Sequence, residues 1–118
     1  MAITKKKPRR REVEDLMDDH LRFAGITGYV RDTPFVTGRR FRADFWFPDA
    51  RIALEVDGGV FMPKGGHTTG LGYTADRERD IEAALQGIQT LRYTSEQVRK
   101  GYAIETFAKI LKARTNAP

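Results

Sequence analysis

The sequence predicts an α/β fold of the α+β kind, in which helices pack against a mixed sheet in the order helix, three strands, helix, strand, helix. Apolar residues recur at helical spacing in residues 12–24 and 74–88, whereas they alternate with other residues in 41–47 and 52–57. A chain of 118 residues has room for one domain with one hydrophobic core. We therefore look for one functional site.

The N-terminal part is predicted to contain the first helix and a short strand. Val13 and Met17 lie on one side of a helix predicted over residues 12–24, and Gly25 follows where a helix commonly ends. Residues 29–36 form an extended stretch that contains a proline. Because proline cannot donate a ladder hydrogen bond, this stretch is predicted to be an edge strand.

The two alternating segments are predicted to form a hairpin. They flank residues 48–51, whose composition of Pro, Asp, Ala and Arg is that of a turn. The simplest closure of this turn pairs Phe47 with Ile52, and that pair fixes the register of both strands.

This register places three carboxylates on one face of the hairpin. Asp44 falls opposite Glu55, and Asp57 follows on the same side because side chains alternate along a strand. The large apolar side chains, Phe45 and Leu54 among them, fall on the other face. That second face is the predicted core face of the hairpin.

The C-terminal half is predicted to contain a loop, a helix, a strand and a final helical region. Residues 58–73 include six glycines, which favours a mobile loop. A helix is predicted over 74–86, a strand over 88–93, and a helical region from there to about Ala113, broken at Gly101. The residues predicted to face the core from the 74–86 helix and its end are Ile81, Ala84, Leu85 and Ile88.

The facing acids need a compensating charge. Opposed side chains on a hairpin are in contact, so Asp44 and Glu55 destabilise each other. Protonation of one acid, a basic neighbour such as Arg42, or a divalent cation can offset this repulsion. Clustered carboxylate oxygens are the ligands that Mg²⁺ prefers, so we favour a metal site of Asp44, Glu55 and Asp57. The alternative is an exposed polar face on which Arg42 bridges Asp57.

The positive charge of the chain is concentrated at its N-terminus. The net charge is +5, from 21 basic and 16 acidic residues. Six of the basic residues lie in 1–11 and no acidic residue does, so residues 12–118 carry 15 basic and 16 acidic side chains. This predicts a basic, flexible tail over 1–11 and a single domain over 12–118. The tail residues that could contact nucleic-acid phosphates are Lys5, Lys6, Lys7, Arg9, Arg10 and Arg11. A merely solubilising extension explains the tail equally well.

The composition also bears on where the protein works. No apolar run approaches the roughly 18 residues that a membrane span requires, so no membrane association is predicted. The N-terminus lacks the apolar stretch of a secretory signal, and the chain has no cysteine that could form a disulfide. These features predict a cytoplasmic protein.

Several short segments in this order resemble the PD-(D/E)XK, or restriction-endonuclease-like, superfamily, and in particular its small branch related to very-short-patch-repair endonucleases. The segments are residues 41–45 (FRADF), 54–59 (LEVDGG), His67, 76–80 (DRERD) and 87–94 (GIQTLRYT) followed by Gln97 and Val98. Each is weak alone, but their order and the predicted succession of elements match that fold over most of the chain. The resemblance implies a restriction-endonuclease-like core.

By this resemblance the chain is a DNA endonuclease that uses Mg²⁺, for which Mn²⁺ could substitute. Asp44 is similar to the motif aspartate that binds the metal, and Glu55 with Asp57 occupies the second-strand motif. His67 matches a histidine that takes part in catalysis in the very-short-patch-like branch, and Lys64 could supply positive charge near it.

Departures from the family pattern are present. Ala43 replaces the motif proline, and Asp57 stands where many members have lysine. Glu14 could be an additional carboxylate, since related nucleases often use an acid from the first helix. A solvated helix face explains Glu14 equally well.

The predicted function is therefore metal-dependent hydrolysis of phosphodiester bonds in DNA. Asp44 and Glu55 would hold Mg²⁺, which lowers the pKa of a bound water, with Asp57 near or on the metal and His67 transferring a proton. Arg42 and the basic tail would hold the DNA backbone. Double-strand cleavage by one small site would suggest a homodimer. The alternatives are a non-catalytic DNA-binding module that keeps the nuclease fold, and an interaction protein that docks through its glycine-rich loop.

Overall fold

A computed structural model describes residues 8–57 and 70–115, with side chains for 10–57 and 73–115. The predicted catalytic residue His67 and the possible accessory residue Lys64 lie outside the described residues, as do Lys5, Lys6 and Lys7. The roles predicted for these residues therefore stay predictions.

The described chain contains four helices and four strands. They are α1 (Pro8–Phe23), β1 (Val30–Pro34), β2 (Arg42–Phe47), β3 (Ile52–Asp57), α2 (Gly70–Leu85), β4 (Gln89–Thr94), α3 (Ser95–Arg99) and α4 (Tyr102–Thr115). The strands form one mixed sheet in the order β1-β2-β3-β4. The predicted α+β class and element order are confirmed, including the break of the last helical region at Gly101.

The described residues form two compact units. The helical unit contains the residues up to Thr27, then Val56 and Asp57, and the residues from Tyr93 onward. The sheet unit contains Gly28–Glu55 and the described residues from α2 to Arg92.

In the helical unit, α1, α3 and α4 contact one another. Met17 of α1, Val98 of α3 and Phe107 of α4 are completely buried, as amphipathic helices require. Helix α3 begins with a capping box. The Thr94 hydroxyl accepts a hydrogen bond from the backbone N–H of Gln97, and the side-chain oxygen of Gln97 accepts one from the backbone N–H of Thr94.

Helix α1 begins four residues earlier than the predicted start at residue 12. Pro8 suits the first turn of a helix, where its missing N–H has no intrahelical partner to lose. Arg10 then forms an i,i+4 ion pair with Glu14 at 2.9 Å. Arg9, Arg10 and Arg11, which were assigned to the basic tail over 1–11, therefore lie within helix α1.

In the sheet unit, the hairpin has the predicted register. Phe45 pairs with Leu54 and Phe47 with Ile52, in an antiparallel arrangement. Phe45, Leu54 and Ile52 are fully buried, as expected for the core face. The strand predicted over 29–36 is also present, because β1 pairs antiparallel with β2 at the edge of the sheet.

Helix α2 differs from its prediction in both its start and its buried side. It begins at Gly70, so residues 70–73, which were predicted to lie in the loop, belong to the helix. Ile81 is 59% and Leu85 is 80% exposed, whereas Ala83 is completely buried. Ala83 belongs to a buried cluster that includes Ala53 of β3, so this side of the helix packs against the sheet. The predicted inward positions Ile81, Ala84 and Leu85 are therefore wrong, and only Ile88 of that set is buried.

In the part of the chain that the structure describes, no helix is both long and apolar enough to cross a bilayer.

Candidate functional site

The candidate site is built on the central hairpin of the sheet unit. Extension of the register by one pair beyond Phe45 and Leu54 places Asp44 of β2 opposite Glu55 of β3. The charge of Asp44 acts on the Glu55 carboxyl, as expected for two neighbouring acids. Both acids are buried, Asp44 to 6% and Glu55 to 8% exposure. The two carboxylates are therefore near each other, and they lie on a covered part of the sheet rather than on an exposed face.

Two arginines from other elements bind Glu55. The Nη2 atom of Arg79, on α2, donates to Oε2 of Glu55 at 2.5 Å. The Nε atom of Arg92, on β4, lies 3.6 Å from Oε1 of the same carboxylate. Both arginine side chains are about three-quarters buried, at 24% and 25% exposure. Glu55 is therefore contacted by a cation at each of its two oxygens.

The charge network continues from Arg92 to the surface of α2. The Nη2 atom of Arg92 donates to Oδ1 of Asp80 at 2.9 Å. Asp80 in turn lies 3.7 Å from the exposed guanidinium of Arg77 through its other carboxylate oxygen. Acidic and basic groups therefore alternate from the interior of the sheet unit outward.

Burial raises the pKa of the Glu55 carboxyl above its ordinary value, because desolvation disfavours the ionised form. The positive charges of Arg79 and Arg92 act in the opposite direction, and the nearby charge of Asp44 raises the pKa further. Burial outweighs the two arginines. The site thus favours one proton or one additional positive charge at Glu55.

Arg42 does not supply that charge. Its side chain is exposed and binds Asp32 on β1, with Nε 3.1 Å from Oδ1. The strand pairing explains this, since Pro34 of β1 is the partner of Arg42 and Asp32 lies two residues away along the same strand. The prediction that Arg42 neutralises the acid pair is therefore wrong, as is the alternative that Arg42 bridges Asp57, because Arg42 pairs with Asp32.

The contacts of Arg79 and Arg92 with Glu55 were not predicted from the sequence. Arg79 lies four residues before the buried Ala83, so both residues fall on one side of α2. Had Ala83 been assigned to the inner side of the helix, Arg79 would have been placed above the hairpin. Arg92 follows from the position of β4 beside β3, which only the sheet order reveals.

The remaining predicted acids have different surroundings. Asp57, at the end of β3, is exposed. Glu14 is only 4% exposed and pairs with Arg10 on its own helix, so the solvated helix face considered for it is ruled out. Its role as an accessory carboxylate stays a prediction.

A complete metal centre is not formed by the residues in 8–57 and 70–115. Within these ranges no group of three or more histidine, cysteine, aspartate or glutamate side chains is arranged to hold a metal ion. Asp44 and Glu55 offer two facing carboxylates, which are suitable oxygen donors for a hard divalent cation. The donor chemistry therefore fits Mg²⁺, while a third protein ligand stays a prediction.

The mixed sheet and its helices match the fold of a solved nuclease domain. A solved structure with a similar fold is the catalytic domain of the homing endonuclease I-Bth0305I, with a TM-score of 0.66 over 89% of this chain and 97% of that domain. The two sequences are 15% identical, so the similarity concerns the fold alone. No protein-family model and no curated protein sequence matches the chain.

Proposed function

We propose that this protein is a metal-dependent endonuclease that hydrolyses phosphodiester bonds in DNA. The observation that carries the proposal is the pair of buried carboxylates, Asp44 and Glu55, facing each other on the hairpin of a nuclease-like fold. A sheet that needed these positions only for packing would be more stable with apolar residues there. Two buried acids side by side therefore favour a chemical function.

Asp44 and Glu55 are the residues that would hold Mg²⁺, with Mn²⁺ as a substitute. When bound between such carboxylates, the ion polarises a phosphate and lowers the pKa of water. Asp57 is exposed two residues beyond Glu55 and is proposed as an additional ligand or water-positioning group. His67 is proposed to transfer a proton, and Lys64 to add positive charge.

The DNA backbone is proposed to contact the basic N-terminal residues and Arg42. Arg42 is exposed although it pairs with Asp32, and an exposed ion pair contributes little, so Arg42 can exchange its partner for a phosphate. Arg10 is bound to the buried Glu14, which makes it a weaker candidate than its neighbours. Lys5, Lys6, Lys7, Arg9 and Arg11 complete the proposed set.

A non-catalytic DNA-binding module is the second candidate. Two observations favour it. Glu55 is contacted by two arginines, and no three-ligand centre is present among the described side chains. Such a module would need no divalent cation at the hairpin. Dependence on the cation therefore separates the two functions.

The test is incubation of the protein with supercoiled plasmid, branched DNA and single-stranded DNA, with and without Mg²⁺. We expect cleavage of at least one substrate only when Mg²⁺ or Mn²⁺ is present. Asp44→Asn keeps the size of the buried side chain and should abolish cleavage, as should Asp44→Ala. Asp49→Asn removes an exposed carboxylate in the hairpin turn and should cleave like the wild type.

Cleavage without a divalent cation, or full activity in Asp44→Asn, would contradict the assignment. Binding of DNA without any cleavage would favour the binding module.

A further inference from the structure

Arg79 and Arg92 bind the same carboxylate, but they differ in the number of acidic groups that each one contacts. Arg92 contacts two acids, Glu55 and Asp80. For Arg79 the ion pair is with Glu55. Its Nε atom is buried and has no hydrogen-bond partner among the described residues. Arg79 is therefore the less completely satisfied of the two guanidinium groups.

The surroundings of Arg79 favour retention of its positive charge without fixing its position. Its guanidinium carbon lies 5.0 Å from the centre of the Phe41 ring, an aromatic face that attracts a cation but accepts no conventional hydrogen bond. A guanidinium offers five N–H donors and matches carboxylate and phosphate oxygens in the same forked geometry. The side chain can therefore exchange one anion for another while it keeps its contact with Phe41.

A divalent cation at Glu55 would create the need for such an exchange. The cation would compete with Arg79 for the oxygens of Glu55 and would repel the guanidinium. An arginine displaced from its carboxylate in a partly buried site requires a new anion. A phosphate oxygen of DNA bound at the same cation is the anion that the proposed function provides.

We propose that Arg79 is an exchangeable counter-ion, which neutralises Glu55 in the free protein and binds a phosphate oxygen of DNA when a divalent cation occupies the Asp44–Glu55 pair. This inference rests on the proposed function. It assigns to Arg79 a direct contact with the substrate, whereas Arg92, held by two acids, stays in the network and positions Glu55.

The test compares Arg79→Gln and Arg79→Lys with Arg77→Gln, which removes an exposed arginine from the same helix. Mn²⁺ binding without DNA is measured by calorimetry. Binding of a short duplex is measured in Ca²⁺, over a series of salt concentrations. Arg79→Gln should bind Mn²⁺ several-fold more tightly than the wild type, because the competing cation is gone. It should bind the duplex several-fold more weakly, with a salt slope lower by about one.

Arg79→Lys keeps the charge and should retain the wild-type salt slope, so it tests the inference even if Arg79→Gln does not fold. Arg77→Gln should match the wild type in both measurements. A purely structural Arg79 would give weaker Mn²⁺ binding in Arg79→Gln, and that result would overturn the inference.

The failure of this inference and that of the proposed function are distinguishable. A wild-type protein that cleaves DNA and binds Mn²⁺, with an Arg79→Gln variant of unchanged duplex affinity and salt slope, would overturn the inference alone. A wild-type protein without any Mn²⁺ binding would overturn both.

Discussion

At the scale of single residues, the unusual feature is a buried acid whose charge is only partly compensated. Glu55 is contacted by Arg79 and Arg92, yet burial and Asp44 raise the pKa of its carboxyl above the ordinary value. A group of this kind responds to pH and to cations more strongly than a surface glutamate does. The chemistry proposed for the hairpin depends on this sensitivity.

The raised pKa predicts a pH dependence of stability. Between the ordinary value of 4.5 and the raised pKa, the folded protein holds a proton on Glu55 that the unfolded chain has released. The stabilisation from this proton is complete below that value and is lost as the pH rises through the raised pKa. Glu55→Gln removes the titration, so its free energy of unfolding should fall less steeply with pH than that of the wild type. Urea unfolding at several pH values measures both slopes. Equal slopes would contradict the raised pKa.

At the scale of the elements, the site depends on the close approach of α2 to the sheet. Ala83 on the helix and Ala53 on β3 are both completely buried in one cluster. Arg79 lies four residues before Ala83 on the same side of the helix, and its guanidinium donates to Glu55. The packing of α2 against the sheet therefore also positions the guanidinium of Arg79 beside Glu55.

A larger side chain at this contact should therefore disturb both stability and the site. Ala83→Leu should lower the free energy of unfolding by about 1–3 kcal/mol, because overpacking forces neighbouring groups to move. Ala84→Leu is the matched control, since this neighbour on the same helix is exposed and the change there should be close to neutral. Chemical denaturation of both variants gives the comparison. Equal stability of the two variants would show that Ala83 is not at a close contact.

The elements also show where sequence reasoning succeeds and where it fails. The hairpin register could be predicted because alternation and a short turn leave one pairing that buries Phe45 and Leu54 together. The inner side of α2 could not be predicted in this way, because Ile81 and Leu85 are more apolar than Ala83 and therefore indicate the wrong side of the helix. Small residues at a close contact carry little hydrophobic signal, although they determine how near two elements can lie.

The same distinction applies to the candidate site. Asp44 and Glu55 come from two strands joined by one turn, so their pairing is local and readable from the sequence. Arg79 and Arg92 reach Glu55 from a helix and from a neighbouring strand, 24 residues away in the case of Arg79. Their contact with the acid follows from tertiary structure and has no counterpart in local spacing.

At the scale of the whole molecule, charge is distributed unevenly. The chain carries +5 overall, but residues 12–118 contain 15 basic and 16 acidic side chains. Long-range attraction to DNA should therefore come mainly from the first 11 residues. Part of that segment, from Pro8, belongs to α1, and Arg10 is already paired with Glu14.

Deletion of residues 1–7 tests this distribution. It removes three lysines, and the slope of log affinity against log salt should decrease by up to about 0.9 for each lysine that contacts a phosphate. Anisotropy of a labelled duplex between about 50 and 200 mM salt measures the slope. The amount of Mn²⁺ bound should not change. An unchanged slope would leave the tail as a solubilising extension.

Asp44 and Glu55 are proposed to bind a divalent cation together, and calorimetric titration with Mn²⁺ measures this binding. The wild type and Asp49→Asn should each bind Mn²⁺ with the same affinity, whereas Asp44→Asn and Glu55→Gln should each lose that binding while remaining folded. Mn²⁺ binding of wild-type strength in both Asp44→Asn and Glu55→Gln would place the cation elsewhere and contradict the account.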